Sequence, residues 1–272
     1  MARWFNPILM LLAMLVSGSA LAGSALYQAT TFVTGQYEPN RSIGFGKCLA
    51  YVLIKVTGDP RLIDDPRVAE MAAAAKAYVL DFHYRDLMEG IPVHDEQGTR
   101  QRPYDLTVTF DLAKIDAAVH TLGLEPWTTS RPRLVLIAGV RNGPPYMLAT
   151  DGGRGRDLRD AVAAAADRIG VAVTLPAEAP LIAKGLTFDT LPSANLADLD
   201  AIAKVTDGDV AVAGTLDWSN AALGWVADWR LEWEGEVYHW QISGVNFDDA
   251  FRSAIGGAAQ ILSGHGAPAG AP

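Results

Sequence analysis

The chain has 272 residues, 50% of them hydrophobic, and a formal net charge of -9 with a pI near 5.0. An acidic protein is repelled by nucleic acid and by anionic membrane surfaces, so neither is an expected partner. Its one cysteine, Cys48, can close no internal disulfide, and a hydrophobic core must therefore stabilise the fold.

The N-terminus has the layout of a secretory signal peptide. Arg3 precedes an apolar run from Ile8 to Val16, and the small residues Ala20 and Ala22 follow where a peptidase would cut. The run is too short to cross a bilayer as a helix, which needs about 20 residues. We therefore expect residues 1–22 to be removed after Ala22, leaving a periplasmic protein that begins at Gly23 and has no stable membrane span.

Residues 23–124 predict a small α+β domain. The patterns indicate a strand at 25–36, helices at 42–56 and from 65 to about 79, and a hairpin built from 80–85 and 104–111. In the hairpin, Leu80, Phe82 and Tyr84 would form an apolar face. Asp111 would cap a short helix that ends at Gly123.

A linker at 125–132, rich in proline and hydroxyl side chains, separates this domain from a second α/β domain at 133–262. The second domain predicts strands at 134–140, 171–175 and 209–216, a hairpin from 225–233 and 237–244, and helices from Asp157, from Asn195 and from Asn246. Residues 263–272 are expected to form a disordered tail. The fold class is α+β: two small mixed α/β subdomains, each with a short, largely antiparallel or mixed sheet covered by helices.

Glycines and arginines are concentrated in one loop of the second domain, at residues 151–157. Arg154, Arg156 and Arg159 can hold an anion together with the amide groups that begin the following helix. The glycine spacing of dinucleotide-binding and phosphate-binding loops is missing. The hypothesis is weak anion binding, its alternative is an exposed connection without a ligand, and no cofactor is expected.

A polar cluster on the hairpin offers acid and base groups. Asp81 and His83 lie on the polar face of one strand, and either Asp105 or Thr107 of the partner strand is expected opposite His83. No nucleophile motif accompanies them, so a solvated strand face is the favoured interpretation. The segment His94-Asp95-Glu96 has metal-ligand atoms, but its loop position argues against a zinc site.

The aromatic residues of the last hairpin, including Trp225, Trp229 and Trp240, share one predicted strand face. Stacking on sugars is one interpretation of such a stripe. We expect a core role instead, because a covering helix would bury this face. Cys48 is likewise interpreted as a small core side chain.

Several segments resemble DUF2066, a family of exported bacterial domains of unknown function. They are Leu26-Tyr27-Gln28-Ala29 with Val33-Thr34-Gly35-Gln36, Val52 to Pro60, Asp65-Pro66-Arg67-Val68, Asp209 to Gly214, and Trp225 to Trp229. The resemblance spans nearly the whole mature chain and implies export, with no catalytic residue to carry over.

These observations favour a noncatalytic binding or accessory module that contacts an envelope protein or a cell-wall component. Whether the chain is an enzyme stays open. A hydrolase of wall or polysaccharide material is one alternative, with carboxylates such as Asp105, Asp111 and Asp228 brought together by the fold. A small-ligand or lipid carrier is another, and it needs an apolar cavity between the two halves.

Overall fold

A computed structural model of the chain describes residues 25–91, 101–128 and 130–270. The chain divides into two compact units. Of the described residues, the N-terminal unit contains those up to Thr57 and those within Arg61–Pro126, and the C-terminal unit contains Gly58–Pro60 and those from Trp127 onwards. The break after Pro126 lies inside the predicted linker at residues 125–132.

The N-terminal unit is a three-stranded antiparallel sheet with helices. Its elements are β1 (Gln28–Thr34), α1 (Asn40–Thr57), α2 (Pro66–Ala73), β2 (Val79–Asp86), β3 (Pro103–Phe110) and α3 (Leu112–Thr121). The strand order is β1-β3-β2, so the predicted hairpin of β2 and β3 has gained β1 on its free side. The α+β fold class is confirmed.

Helix α1 forms because its apolar residues recur on one face, and this face packs on the sheet. Phe45, Leu49, Val52 and Val56 are all buried, as the spacing predicts. The next two helices begin at side-chain caps that the sequence shows. Asp65 accepts a 2.8 Å hydrogen bond from the Arg67 amide, and Asp111 accepts one of 3.1 Å from the Lys114 amide.

Two details of this unit differ from the prediction. Helix α2 ends at Ala73 because a short 3₁₀ turn, Ala75–Ala77, follows it and Val79 already belongs to β2. The register of β2 shifts between Val79 and Asp81, which leaves Leu80 68% exposed and not on the apolar face.

The C-terminal unit is a mixed six-stranded sheet with helices. Its elements are β4 (Leu134–Arg141), β5 (Tyr146–Leu148), α4 (Arg156–Ile169), β6 (Val173–Thr174), α5 (Glu178–Ala183), α6 (Leu196–Val205), β7 (Val210–Ser219), β8 (Gly224–Trp233), β9 (Glu236–Val245) and α7 (Phe247–Leu262). The strand order is β5-β4-β7-β8-β9, and β6 also pairs with β4. Strands β4 and β7 are parallel, whereas β7, β8 and β9 form an antiparallel meander.

Both faces of this sheet carry apolar side chains. Val135 and Ile137 belong to a buried cluster with Leu199 and Ile202 of helix α6. On the α7 side, Trp229 is 2% exposed and its ring lies 6.2 Å from that of Phe251. Because successive strand residues point to opposite faces, the continuous apolar run of β4 is explained by cover on both sides.

The C-terminal end of the described chain is packed. The Gln260 side-chain amide donates a 2.8 Å hydrogen bond to the Ala267 carbonyl, and Pro268 is buried beside Gly257. Residues 263–272 are predicted to form a disordered tail, whereas the described part of that segment, up to residue 270, makes these contacts. Within the ranges that the structure describes, no helix has the length and apolar character needed to cross a membrane.

Candidate functional site

An apolar groove lies between helices α5 and α6 of the C-terminal unit. Its volume is about 590 Å³. Most of its lining atoms are carbon; the lining residues are Thr150, Leu175, Ala177, Pro180, Ala183, Lys184, Ala201, Ile202, Val205 and Thr206. Ile202 is buried at the base, whereas Val205 is 71% exposed at the C-terminal end of α6. We call this space the α5–α6 groove.

Hydrogen bonds and an ion pair position both helices. The Asp151 carboxylate accepts a 2.8 Å hydrogen bond from the Glu178 amide and so caps helix α5 from another loop. Asn195 caps α6 by accepting a 2.9 Å hydrogen bond from the Ala197 amide. Lys184 and Asp198 form a 2.7 Å ion pair between the end of α5 and the first turn of α6.

A second groove of about 440 Å³ lies on the other side of helix α5. Its lining combines residues of β5, the glycine-arginine loop and α5: Tyr146, Met147, Gly152, Gly153, Arg154, Glu178, Leu181, Ile182 and Leu186. Ile182 is 72% exposed on α5 itself. Burial raises the pKa of the Tyr146 phenol, although the nearby Arg154 charge acts in the opposite direction. Helix α5 therefore separates two grooves that both have aliphatic rims.

The glycine-arginine loop is held by its own arginines. Arg154 lies over the Tyr146 ring at 4.0 Å and donates a 2.8 Å hydrogen bond to the Pro144 carbonyl. Arg159 donates to the Ala149 and Arg154 carbonyls. Arg156 is exposed in the first turn of α4. Two of the three proposed anion ligands thus bind main-chain carbonyls, and anion binding stays a prediction.

The predicted polar cluster lies on the exposed face of the N-terminal sheet. Asp81 and His83 are exposed on β2, where His83 is opposite Thr107. Asp105 forms an ion pair with Arg85 on the neighbouring strand. Of the two residues expected opposite the histidine, the register thus selects Thr107 and not Asp105.

Hydroxyl and amide side chains continue across the same face to β1. Thr30 and Thr107 share a 2.8 Å hydrogen bond, and the Gln28 side chain donates one of 3.0 Å to Thr109. These cross-strand contacts explain the polar residues as partners of one another.

The carboxylates of the hydrolase alternative have structural contacts. Asp105 is paired with Arg85, Asp111 caps helix α3, and Asp228 accepts a 2.6 Å hydrogen bond from the Gln241 side chain. Asp228 belongs to the C-terminal unit and the other two to the N-terminal unit.

The described ranges contain no group of three or more His, Cys, Asp or Glu side chains able to hold a metal ion. His94-Asp95-Glu96 lies outside the described residues. Cys48 is fully buried, and burial raises the pKa of its thiol to about 12.

Comparison with protein families finds a match over part of the chain. Residues 20–128 match a family described as a domain of unknown function, DUF8605. The predicted membership of DUF2066 is therefore wrong, because DUF8605 is a different family. No curated protein and no solved structure matches the chain. The match covers less than half of the chain and extends just past the N-terminal unit, so it does not include the grooves beside α5.

No local pattern in the sequence predicts the α5–α6 groove. Helix α5 has six residues, and its N-cap position is Ala177, which makes no side-chain hydrogen bond to the helix. The helix is therefore too short to show a periodic pattern, and no capping side chain directly precedes it.

Proposed function

We propose that the chain is an exported, noncatalytic binding module of the bacterial cell envelope, and that the α5–α6 groove holds an apolar segment of its partner. The observation that carries this proposal is a groove of about 590 Å³ with exposed Val205 at its rim. Ligand sites commonly have volumes of about 300 to 1,000 Å³ and mostly apolar linings.

The rim supports binding of an apolar surface. Val205 lines the groove and is 71% exposed at the C-terminal end of α6. Exposed aliphatic residues at a groove mark interaction sites, since burying each of them against a partner contributes about 1.5 to 3 kcal/mol.

The chemistry of the lining supports binding more than catalysis. Its polar side chains are two threonines and Lys184, and the lysine ammonium is paired with Asp198. General acid-base catalysis needs a titratable group free to exchange a proton with substrate. The lining offers an apolar surface for contact, and its few polar groups can fix the orientation of a bound partner segment.

Export is supported by the leader-like pattern of residues 1–22. The periplasmic part of the proposal predicts that native protein begins at Gly23 and fractionates with the periplasm. Protein that retains Met1 or fractionates with the cytosol would contradict it, and the groove could then be tested independently of location.

In-cell crosslinking tests the groove. A photoreactive benzophenone amino acid at position 205 should give a discrete adduct, whereas the same amino acid at Val237, a 44% exposed valine on β9, should not. Ala201→Phe, which fills the groove, should abolish the adduct. Equal adducts from both positions, or none from position 205, would contradict the proposal.

A small apolar ligand is a second candidate for the same groove, since its volume also fits such a molecule. Native mass spectrometry of protein purified without detergent would show a bound ligand as a discrete mass increase. Ala201→Phe should remove that increase if the ligand occupies the groove.

A further inference from the structure

The tip of the hairpin between β7 and β8 exposes two large apolar side chains. Leu223 is 84% exposed and Trp218 is 43% exposed. Residues 218–227 carry no charge, although Asp217 and Asp228 border them. The tip therefore lacks the negative charge of the chain as a whole, which has a net charge of -9.

Leu223 has a backbone conformation that its side chain disfavours. Its φ is +51°, in the left-handed region where glycine and asparagine are the preferred residues. Folding alone would favour one of those residues at the end of this four-residue loop. An exposed leucine in a strained position points to a role outside the fold.

Trp218 can enter an apolar environment without leaving a hydrogen-bond donor unpaired. Its indole N–H donates a 3.1 Å hydrogen bond to the Asn220 side chain in the same loop, so transfer out of water leaves this donor paired. Its ring packs edge-on against Trp225, with 5.7 Å between centroids, and Trp225 is buried. The exposed ring thus rests on a fixed support.

We propose that this hairpin tip inserts Trp218 and Leu223 into the interfacial region of a phospholipid bilayer. Tryptophan favours that region because its ring is amphipathic, and leucine favours the adjoining hydrocarbon. The absence of charge over residues 218–227 lets the tip approach lipid where the acidic remainder of the chain would be repelled.

Area argues for lipid over a protein partner. A specific protein interface buries about 800 Å² on each side, far more than two side chains on a hairpin turn provide. Insertion into lipid requires no shape complementarity, so two apolar side chains are enough for weak, reversible binding.

Vesicle sedimentation with the chain that begins at Gly23 tests the proposal, because the apolar leader would itself bind lipid. We expect binding to neutral phosphatidylcholine vesicles that does not increase with anionic phosphatidylglycerol and does not weaken at high salt. Binding that requires anionic lipid and disappears with salt would overturn the proposal, as would no binding to either vesicle.

Leu223→Asn separates binding from folding. Asparagine accepts the positive φ, so thermal stability should be kept or raised, whereas the partition coefficient should fall about tenfold. Trp218→Ser should give a similar fall. The matched control is Leu80→Asn, which changes a 68% exposed leucine in the N-terminal unit and should alter partitioning less than twofold.

Equal losses in the control and the tip variants would overturn the proposal. Brominated lipids provide a second readout, because they quench only fluorophores within the bilayer: Trp218→Phe should remove most of the quenching. Photocrosslinking from position 223 that captures a protein and no lipid would also overturn it. Val205→Glu, which changes the α5–α6 groove, should leave vesicle binding intact.

Discussion

The indole N–H of Trp240 donates a 3.0 Å hydrogen bond to the main-chain carbonyl of Ser253 in helix α7. The Trp240 ring is only 2% exposed, so the bond joins the edge strand β9 to the helix that covers it. This contact confirms a core role for the tryptophan and explains why it is unsuited to stacking on a sugar in solution.

Trp240→Phe should therefore destabilise the protein by about 1 to 3 kcal/mol, because it removes the hydrogen bond and leaves unfilled volume. Urea denaturation followed by far-UV circular dichroism measures the change. Trp218→Phe, at a 43% exposed site, is the matched control and should change stability by less than about 0.5 kcal/mol. Equal effects at the two sites would contradict this assignment.

Gly257→Ala should destabilise helix α7 although alanine is the better helix former. The propensity gain is about 1 kcal/mol. A Cβ at this position would lie 2.8 Å from two atoms of the Trp240 ring and 2.9 Å from Pro268 Cγ. We expect a net loss of about 1 to 3 kcal/mol from overpacking.

Gly256→Ala is the control for this prediction. Its nearest atom outside the helix would be Pro60 Cβ at 3.3 Å, which requires a much smaller adjustment. Gly256→Ala should thus be less destabilising than Gly257→Ala in the same urea experiment. A higher unfolding midpoint for Gly257→Ala than for the parent would show that the helix has room there.

Glu234→Asn should stabilise the hairpin of β8 and β9 by about 0.5 to 1 kcal/mol. Glu234 and Gly235 form its two-residue turn, with φ of +54° and +83°. Asparagine followed by glycine is preferred in such a turn, whereas glutamate is strained at positive φ. Differential scanning calorimetry measures the effect.

Glu232→Asn controls for the lost negative charge. It removes the same charge from an exposed position on strand β8 and should be neutral or slightly destabilising. If both variants were stabilised to a similar extent, the gain would come from the loss of a negative charge and not from relief of strain in the turn.

Cys48 should be unreactive towards thiol reagents in the folded protein at pH 8. Burial raises the pKa of its thiol to about 12 from an ordinary value of 9.0, so very little thiolate is present. Labelling should become complete in denaturant. Rapid labelling under native conditions would show that the site opens.

The same thiol makes stability depend on alkaline pH. The unfolded thiol ionises near 9.0 and the folded one only near 12, so the folded state holds one more proton between these values. This contribution is fully present below pH 9 and is lost as pH rises towards 12. Cys48→Ala should show a shallower loss of unfolding free energy over that interval.

The features that could be predicted from the sequence are those that depend on contacts between residues close together in the chain. The caps at Asp65, Asp111, Asn195 and Asn246 are each confirmed by a hydrogen bond to an amide in the next helix. These caps involve contacts over two or three residues, so their chemistry is visible in a single sequence. The apolar faces of the longer helices were predictable for the same reason.

The rest of the fold, and the α5–α6 groove, depend on contacts between residues far apart in the chain. The parallel pairing of β4 with β7 joins Leu134 to Val210, and the three-residue strand β5 is too short to show a pattern. Helix α5 is capped by Asp151, 27 residues before Glu178. Because the lining of the α5–α6 groove comes from segments far apart in the sequence, from Thr150 to Thr206, local periodicity carries no information about it.

The paired polar side chains on the exposed face of the N-terminal sheet, such as Arg85 with Asp105 and Thr30 with Thr107, help to fix the register of its strands. A slip of two residues would keep every apolar side chain on its own face, so hydrophobicity alone cannot forbid it. Such a slip would, however, separate Arg85 from Asp105 and place the arginine opposite Thr107 or Pro103. The exposed polar face of the sheet therefore selects one strand register among several that the buried apolar face would accept equally well.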